Sequence, residues 1–471
     1  MNIEGILYLL QMPVRPENAD DSWSIRSFRN CRSNLSSMKD SLLYRNIDRY
    51  RRAVKDMGKV LAVVSPPHTA ISLVNYEHKS LSPLRSGDLL TAAEQPELNP
   101  FYPYFKSRLE MLFLKKVPSA IGISLNYLCQ ALCTFSMIGF IKSMFPGLKV
   151  ILGGGLVTSW LKNSLWKNPF SGLVDNFVAG PGEYQLLQLL GMDAAGEKTW
   201  RPDYLGLPRN KYLSPGFILP YSASAGCYWS RCEFCPEKAE GNAYDPIPTQ
   251  RVISDLKALA EKTCPVLIHL LDNAISPALL NALTTDNTGI PWYGFSRIDL
   301  HLTDLDFCVA LKRAGCVMLK LGIESGDQGV LDAMEKGISV EMASLVLKNL
   351  KEAGIAAYVY LIFGTPAETE THARKTLEFT VKHSDCIDFL NLAIFNMPVC
   401  GKITPEIETK RFYEGDLSLY TDFIHPNGWD RKRVRLFLDN EFKRHPAVSA
   451  ILKNDPPIFT SNHAPFFVMG K

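Results

Sequence analysis

The 471-residue chain changes character along its length by the period of its apolar positions. From Tyr221 onward, short runs of β-branched and aromatic residues alternate with longer stretches whose apolar residues recur every three or four positions. The first pattern suits strands covered on both faces, the second helices packed on a sheet. Strands are predicted at Tyr221–Ala225, Val266–Leu271, Trp292–Ser296, Val317–Ile323, Ala357–Phe363 and Ile387–Ile394. Helices are predicted at about Thr249–Lys262, Pro277–Leu283, Asp304–Arg313, Met342–Glu352 and Glu370–His383, with Gly315 and Gly354 as stop signals. Six strand–helix units in succession predict a parallel sheet curled into a partial (βα)6 barrel, with its chemistry at the carboxyl ends of the strands.

A sparser alternation precedes it. Val60–Val64, Ala120–Ser124, Val150–Leu152 and Leu173–Val178 read as strands, and Leu128, Leu132, Phe135, Ile138 and Ile141 form one helical stripe. A further helix is expected from Glu183 to about Leu190. The pattern predicts an α/β, doubly wound, Rossmann-like domain. Val117–Ile141 carries no charge and is long enough to cross a bilayer, but Pro118, Gly122, Asn126 and Gln130 interrupt it. A buried strand followed by a packing helix is the better reading, and no membrane partner is expected. Residues 1–57 read as a polar, basic lead-in, 80–105 as irregular, and 196–220, with four prolines, as a linker. The domains expected are then 58–195, 221–399 and a mainly helical appendage, 400–471. An amphipathic helix from Trp429 to about Lys443 should turn its basic face to solvent. The tail PPIFTSNHAPFF is too apolar to stay free, and is expected to pack on the barrel and close its substrate cavity.

Composition adds exclusions. Apolar residues make up 46% and charged residues 21%, the balance of a globular protein. A net charge of +3 gives no reason to expect nucleic acid as a partner. Eleven scattered cysteines do not form a disulfide framework, so a reducing, cytoplasmic setting is expected. No basic segment followed by an apolar core and a cleavage site opens the chain.

The chemistry concentrates at Tyr221–Lys238, YSASAGCYWSRCEFCPEK. Cys227, Cys232 and Cys235 fall within nine residues, flanked by Gly226 and Pro236. Thiolates so close in a loop suit a metal or an iron–sulfur cluster; the C-x-x-C pair by itself would equally suit zinc or redox work. Three thiolates on a cluster of four irons leave one iron open. The remaining cysteines read as core thiols: Cys129 and Cys133 lie one turn apart, Cys264, Cys308, Cys316 and Cys386 sit in or beside apolar elements, and Cys400 follows the last strand. Polar residues ending the predicted strands are Asp272, Asn273, Arg297, Glu324, Ser325, Thr365 and Asn396, beside Gly364. A charge there is costly without a partner, so Asp272 and Arg297 serve either a ligand or a helix cap or ion pair.

These motifs resemble the radical S-adenosylmethionine superfamily. The family's usual motif has three residues between the first two cysteines, two between the last pair, and an aromatic residue before the third, here Phe234. This chain has four in the first gap: Tyr228, Trp229, Ser230 and Arg231. LGIESGDQGVL and FGTP (Phe363 to Pro366) are similar to the family's fourth and fifth strand ends, in the family's order. The resemblance implies a [4Fe-4S] cluster on Cys227, Cys232 and Cys235. It implies S-adenosylmethionine near Phe234, Asp272, Arg297, Glu324, Ser325 and Gly364. An α/β domain placed directly before such a core resembles the cobalamin-binding subgroup. Ile123–Leu128, Leu152–Gly155 and Gly180–Glu183 match the segments that flank the corrin there, which implies cobalamin beside Ser124, Asn126, Gly153, Gly154, Gly155 and Gly182. The D-x-H-x-x-G motif that supplies a histidine to cobalt is missing; His68 lacks its spacing. The activity implied is methyl transfer to an unreactive carbon or phosphorus of a small molecule or peptide, with an electron donor such as a flavodoxin or ferredoxin. The alternatives are a radical rearrangement, ring contraction or oxidation, and, from another class, a non-catalytic iron–sulfur or zinc module. A transfer-RNA methylthiotransferase is disfavoured by the lack of a second three-cysteine set and of a basic terminal domain.

Overall fold

In a computed structural model of the chain, the residues described are 2–11, 17, 19–192, 201–401, 407–410, 415–457 and 462–470. The barrel unit is built as its periodicity predicts. Six strands, β4 (Ile218–Tyr221), β5 (Leu267–Leu270), β6 (Trp292–Ser296), β7 (Cys316–Glu324), β8 (Ala356–Phe363) and β9 (Phe389–Ile394), lie in sequential order, all parallel. Helices at Thr249–Thr263, Pro277–Thr285, Leu305–Arg313, Val340–Ala353 and Glu370–Lys382 connect them. Asp304, Ser339 and Thr369 cap three of these through side-chain oxygens, and Gly354 ends one in a left-handed turn at φ 73°. Leu319, Leu321 and Ile323 on β7 pack outward with Val346, Leu347 and Leu350 of a covering helix in one buried core. The first barrel strand lies three residues before the predicted one, because Ser224–Ala225 turns away to pair antiparallel with Asp245–Pro246. The end of the expected linker is therefore part of the barrel.

The α/β class also holds for the N-terminal unit, in a reduced form. β1 (Ala120–Ser124), β2 (Lys149–Gly153) and β3 (Asn176–Phe177) form a parallel sheet in the order 1-2-3. The first of the four expected strands, Val60–Val64, is instead the last turn of a helix, Ile47–Val64. Tyr50, Ala53, Val54, Met57, Val60 and Leu61 are its buried stripe, and the period-3.6 pattern outweighs the local β-branched run. That stripe also removes the polar lead-in. The helices Asn2–Gln11 and Ser22–Ser37 share a core with it and with the sheet. The segment read as irregular contains the helices Ser86–Glu94 and Tyr102–Lys115. These wrap Leu128–Met144, whose residues 131–141 are all buried. The uncharged stretch is thus a central core helix. No helix among the described residues is long and apolar enough to cross a membrane.

The appendage contributes a helix at Arg431–Phe437 continued by a π-turn at Leu438–Phe442. The described part of the tail does pack on the barrel, at the end opposite to the one expected. His463 lies between Tyr358 and Phe389, with ring centroids 4.5 Å from each. Ala464 joins Leu267, Tyr293 and Met318, residues of the amino-terminal halves of the strands. The tail closes the floor of the barrel, not its catalytic mouth.

Gly139 shows how tightly the N-terminal core is set. A Cβ there would run into the backbone carbonyl of Ala93 on the adjacent helix. In an open helix Gly→Ala gains up to about 1 kcal/mol. Here Gly139→Ala should instead cost about 2 kcal/mol or more by overpacking. A lowered urea midpoint, with Gly147→Ala (open space) as the unchanged control, checks this.

Candidate active site

The three cysteines lie on one loop between the Ser224–Ala225 pairing and a short helix at Pro236–Ala239. All three are free thiols. Gly226 starts the loop at φ 68°, where a Cβ would strike the carbonyl of Ala243. Asp272, two residues past β5, pins its entry: Oδ2 accepts from Ala223 N at 3.1 Å and Oδ1 from Ser224 Oγ at 2.5 Å. Asn273 Nδ2 donates to Gly226 O at 3.2 Å. At the far side Cys235 N donates to Cys232 O at 3.2 Å, and Glu233 N to Met334 O at 3.0 Å. The extra residue in the first gap is absorbed at Ser230, which turns left-handed at φ 47°. That turn lays Trp229 against Gly337, where a Cβ would overlap the indole, and Trp229 Nε1 donates to Glu335 O at 2.9 Å.

Arg297, beyond β6, ties this loop to the turn after β7. It is 7% exposed, stacks on Trp229 at 4.2 Å, donates to the Lys336 carbonyl and approaches Cys232 Sγ at 3.8 Å. Burial raises the Cys232 thiol while Lys336 and Arg297 push it back down; burial raises Cys235 while the backbone N–H groups of Glu237 and Lys238 oppose it. Among the described residues no three His, Cys, Asp or Glu side chains converge tightly enough to hold a single metal ion. The thiols share a loop, not a point, and would close by side-chain rotation around a larger group. Soft sulfur donors, two buried cations and a glycine entry fit a cluster of iron and sulfide better than a lone zinc.

Glu324 ends β7 at φ 70°, a left-handed conformation rare for this residue type, just after a register shift against β8. Its carboxylate meets Lys336 Nζ at 2.7 Å, both side chains nearly buried. Lys336 also lies 5.5 Å from the centre of the Phe234 ring. Phe234, Arg297, Glu324 and Lys336 are therefore brought together beside Cys232. Two expected ligand residues are engaged elsewhere. Ser325 is fully buried, its hydroxyl shared between Thr376 Oγ1 and Asp327 N. Gly364, at φ 79°, faces Val434 and donates its N–H to Glu368 Oε2. Asp272 acts on the loop itself. Sequence reasoning missed Trp229, Lys336 and Glu368; the only signal for Lys336 was a lysine before a glycine in a turn.

A cavity of about 780 Å³ opens beside the loop, lined by Phe234, Met334, Thr365, Phe395, Met397 and Cys400. A smaller one, about 270 Å³, separates Gly155, Ser159 and Trp160 of the N-terminal unit from Pro236, Glu240 and Cys400. Cys400, read as a plain buried thiol, is half-buried and lines both. Ser159 Oγ donates to Glu240 Oε1 at 2.5 Å across the boundary. The carboxyl edge of the three-stranded sheet is a set of interlocked loops. Leu125 N donates to Gly153 O at 2.7 Å, Gly155 N to Asn126 Oδ1 at 2.9 Å, and Asn126 Nδ2 to Ser124 Oγ at 3.2 Å. Gly154, at φ 105°, comes so near that a Cβ would lie 2.5 Å from Leu125 O. Gly182 sits at the start of the helix after β3, against Val178. All six residues expected at cobalamin thus lie at the carboxyl ends of these strands or just beyond them.

Glu368, fully buried, supports the β8 end. Burial pushes its carboxyl up to about 7, against hydrogen bonds to Oε2 from Gly364 N and from Trp429 Nε1 at 2.8 Å; Oε1 has no partner. A carboxyl raised above its unfolded value of 4.5 favours the fold below that pH, and the contribution is lost as pH rises to about 7. Glu368→Gln keeps the protonated shape. Urea unfolding should find it ~3 kcal/mol more stable than wild type at pH 8 and equal to it near pH 4.5.

Residues 221–380 match the model of the radical SAM superfamily. An uncharacterized methyltransferase of Pyrococcus horikoshii is 27% identical over 191 residues, 38% of this chain and 40% of the relative. The anaerobic magnesium-protoporphyrin IX monomethyl ester cyclase of Rubrivivax gelatinosus is 23% identical, over 52% of this chain and 45% of the relative. The chain thus spans less than half the length of these curated relatives. Among solved structures, the radical S-adenosylmethionine methyltransferase TsrM from Kitasatospora setae, solved with cobalamin and a [4Fe-4S] cluster, superposes with a TM-score of 0.51. It is 18% identical, covering 81% of this chain and 89% of that one, which shows a shared fold across both units. The six-stranded parallel unit carrying the three-cysteine loop is therefore a domain of the radical SAM superfamily.

Proposed function

We propose that the protein is a cobalamin-dependent radical S-adenosylmethionine methyltransferase acting on an unreactive carbon or phosphorus centre. The observation that carries the reading is the meeting of two sites across one small cavity: the glycine loops at the carboxyl edge of β1–β3 face the helix that follows the three cysteines. When bound, the cluster would supply the electron for reductive cleavage of S-adenosylmethionine, and cobalamin a carrier for the methyl group. The chain's own part is to hold and align. Cys227, Cys232 and Cys235 would hold the cluster, with Arg297 and Lys336 offsetting its negative charge. Phe234, Arg297 and Glu324 would border S-adenosylmethionine, Glu324 as an acceptor for hydroxyl or ammonium groups. Ser124, Asn126, Gly153, Gly154, Gly155 and Gly182 would let the backbone approach the corrin, with no histidine on cobalt. His68 lies beside His78, ring centroids 5.1 Å apart and tilted, just before the Thr69–His78 hairpin, off every described loop that follows the parallel strands. The 780 Å³ cavity would admit a small-molecule or peptide substrate to the barrel, in the size range of ligand sites. A flavodoxin or ferredoxin would supply the electron.

Anaerobic reconstitution with iron, sulfide and hydroxocobalamin tests this. Wild type should retain about four irons and near-equimolar cobalt with a base-off spectrum, and Cys232→Ala should lose the iron. Zinc in place of iron would remove the enzyme reading. Iron without cobalt would move the assignment to radical rearrangement or oxidation, in keeping with the cyclase among the relatives.

A further inference from the structure

Lys320 lies in the middle of β7, on the inward face it shares with Met318, Gly322 and Glu324. It is 2% exposed. Among the described residues no hydrogen bond or ion pair reaches its Nζ, and the amine stands over the rings of Tyr293, at 5.3 Å, and Phe295, at 4.9 Å. The walls continue as aromatic rings: His269 stacks on Tyr293 at 4.3 Å, and Phe295 meets Tyr360, which meets Tyr358. No carboxylate stands in this set. The nearest along the strand, Glu324, is paired with Lys336, and that pair folds over the bare backbone of Gly322, just above the lysine. Below, Ala464 and Met318 seal the floor. Burial alone brings Lys320 down to about 8, so it keeps its proton at neutral pH, whereas His269, brought to about 3, is neutral. An ammonium buried without a counter-ion recovers only part of its lost hydration from aromatic faces. Its place one layer above the floor, below the partly exposed rings of Phe295 and Tyr360, points to a missing anion.

We infer that Lys320 is the anchor for an oxyanion, carboxylate or phosphate, on a substrate whose apolar, ring-bearing body lies against Tyr293, Phe295 and Tyr360. The inference rests on the reading of this barrel as the enzyme's reaction chamber and names its substrate class. The oxyanion would cancel the buried charge and fix the depth of the substrate, leaving the opposite end of its body toward the cysteine loop. A merely structural lysine would behave differently on removal, which makes the two separable.

The test uses the full chain carrying its cluster, with S-adenosylmethionine present, and three probes: 2-naphthoate, 2-naphthyl phosphate and the neutral 2-naphthamide. Calorimetric titration should show at least one oxyanion binding tenfold or more tightly than the amide. Lys320→Met should erase that preference and raise the thermal midpoint by a few degrees, because it removes an uncompensated buried charge. Lys320→Arg should keep part of the preference. Equal affinity for oxyanions and amide in wild type, an undiminished preference in Lys320→Met, or a fall in the thermal midpoint of Lys320→Met but not of Lys320→Arg would each overturn the inference. Iron content and S-adenosylmethionine binding are read on the same samples. Their loss in wild type would remove the proposed function, whereas their retention with no oxyanion preference removes only the anchor.

Discussion

One guanidinium joins the parts of the site. Arg297 leaves β6 buried and touches three groups on two other segments: the indole of Trp229 and the sulfur of Cys232 in the cysteine loop, and the carbonyl of Lys336 after β7. A planar fork with several donors can meet a ring face, a carbonyl and a thiol at once; an ammonium cannot. The loop has little regular structure of its own. Its position follows from Arg297 on one side and from Asp272 and Asn273 on the other. Two strand ends and one turn thereby convert a flexible nine-residue triad into a defined rim.

Charged groups gather at that rim. Arg297 and Lys336 stand next to Cys232, and Glu324 is held in a left-handed turn so that its carboxylate returns to Lys336. Such strain persists only where the surroundings over-determine it, and it concentrates where ligands bind. The N-terminal unit brings a different chemistry to the same place, with glycines and small polar groups where its backbone loops cross. Ser159 to Glu240 is a direct bond between the two units.

Much of this was legible from the chain. The barrel strands alternate so regularly with capped helices that the expected and observed boundaries differ by four residues or fewer, and the cysteines mark their own loop. What failed did so for identifiable reasons. Val60–Val64 looks like a strand because all five of its residues are apolar, yet Tyr50, Ala53, Val54 and Met57 extend one helical stripe through it. Ser86–Glu94 and Tyr102–Lys115 were hidden by the prolines and asparagines around their ends. The role of Trp229 depends on a left-handed Ser230, and that of Lys336 on a turn made by Glu335 and Gly337, neither of which follows from residue type. Ser325 and Gly364 matched motif positions, but their polar groups serve the fold. Lys320, a charge within an apolar strand, was passed over.

The account turns on a cluster held by three thiolates with its fourth iron open to S-adenosylmethionine. Electron paramagnetic resonance of the reduced, anaerobically reconstituted protein measures this directly. The account predicts a [4Fe-4S] signal that disappears in Cys227→Ala, Cys232→Ala or Cys235→Ala and whose g-values shift when S-adenosylmethionine is added. A signal unmoved by S-adenosylmethionine, or one that survives loss of any of the three cysteines, would contradict it.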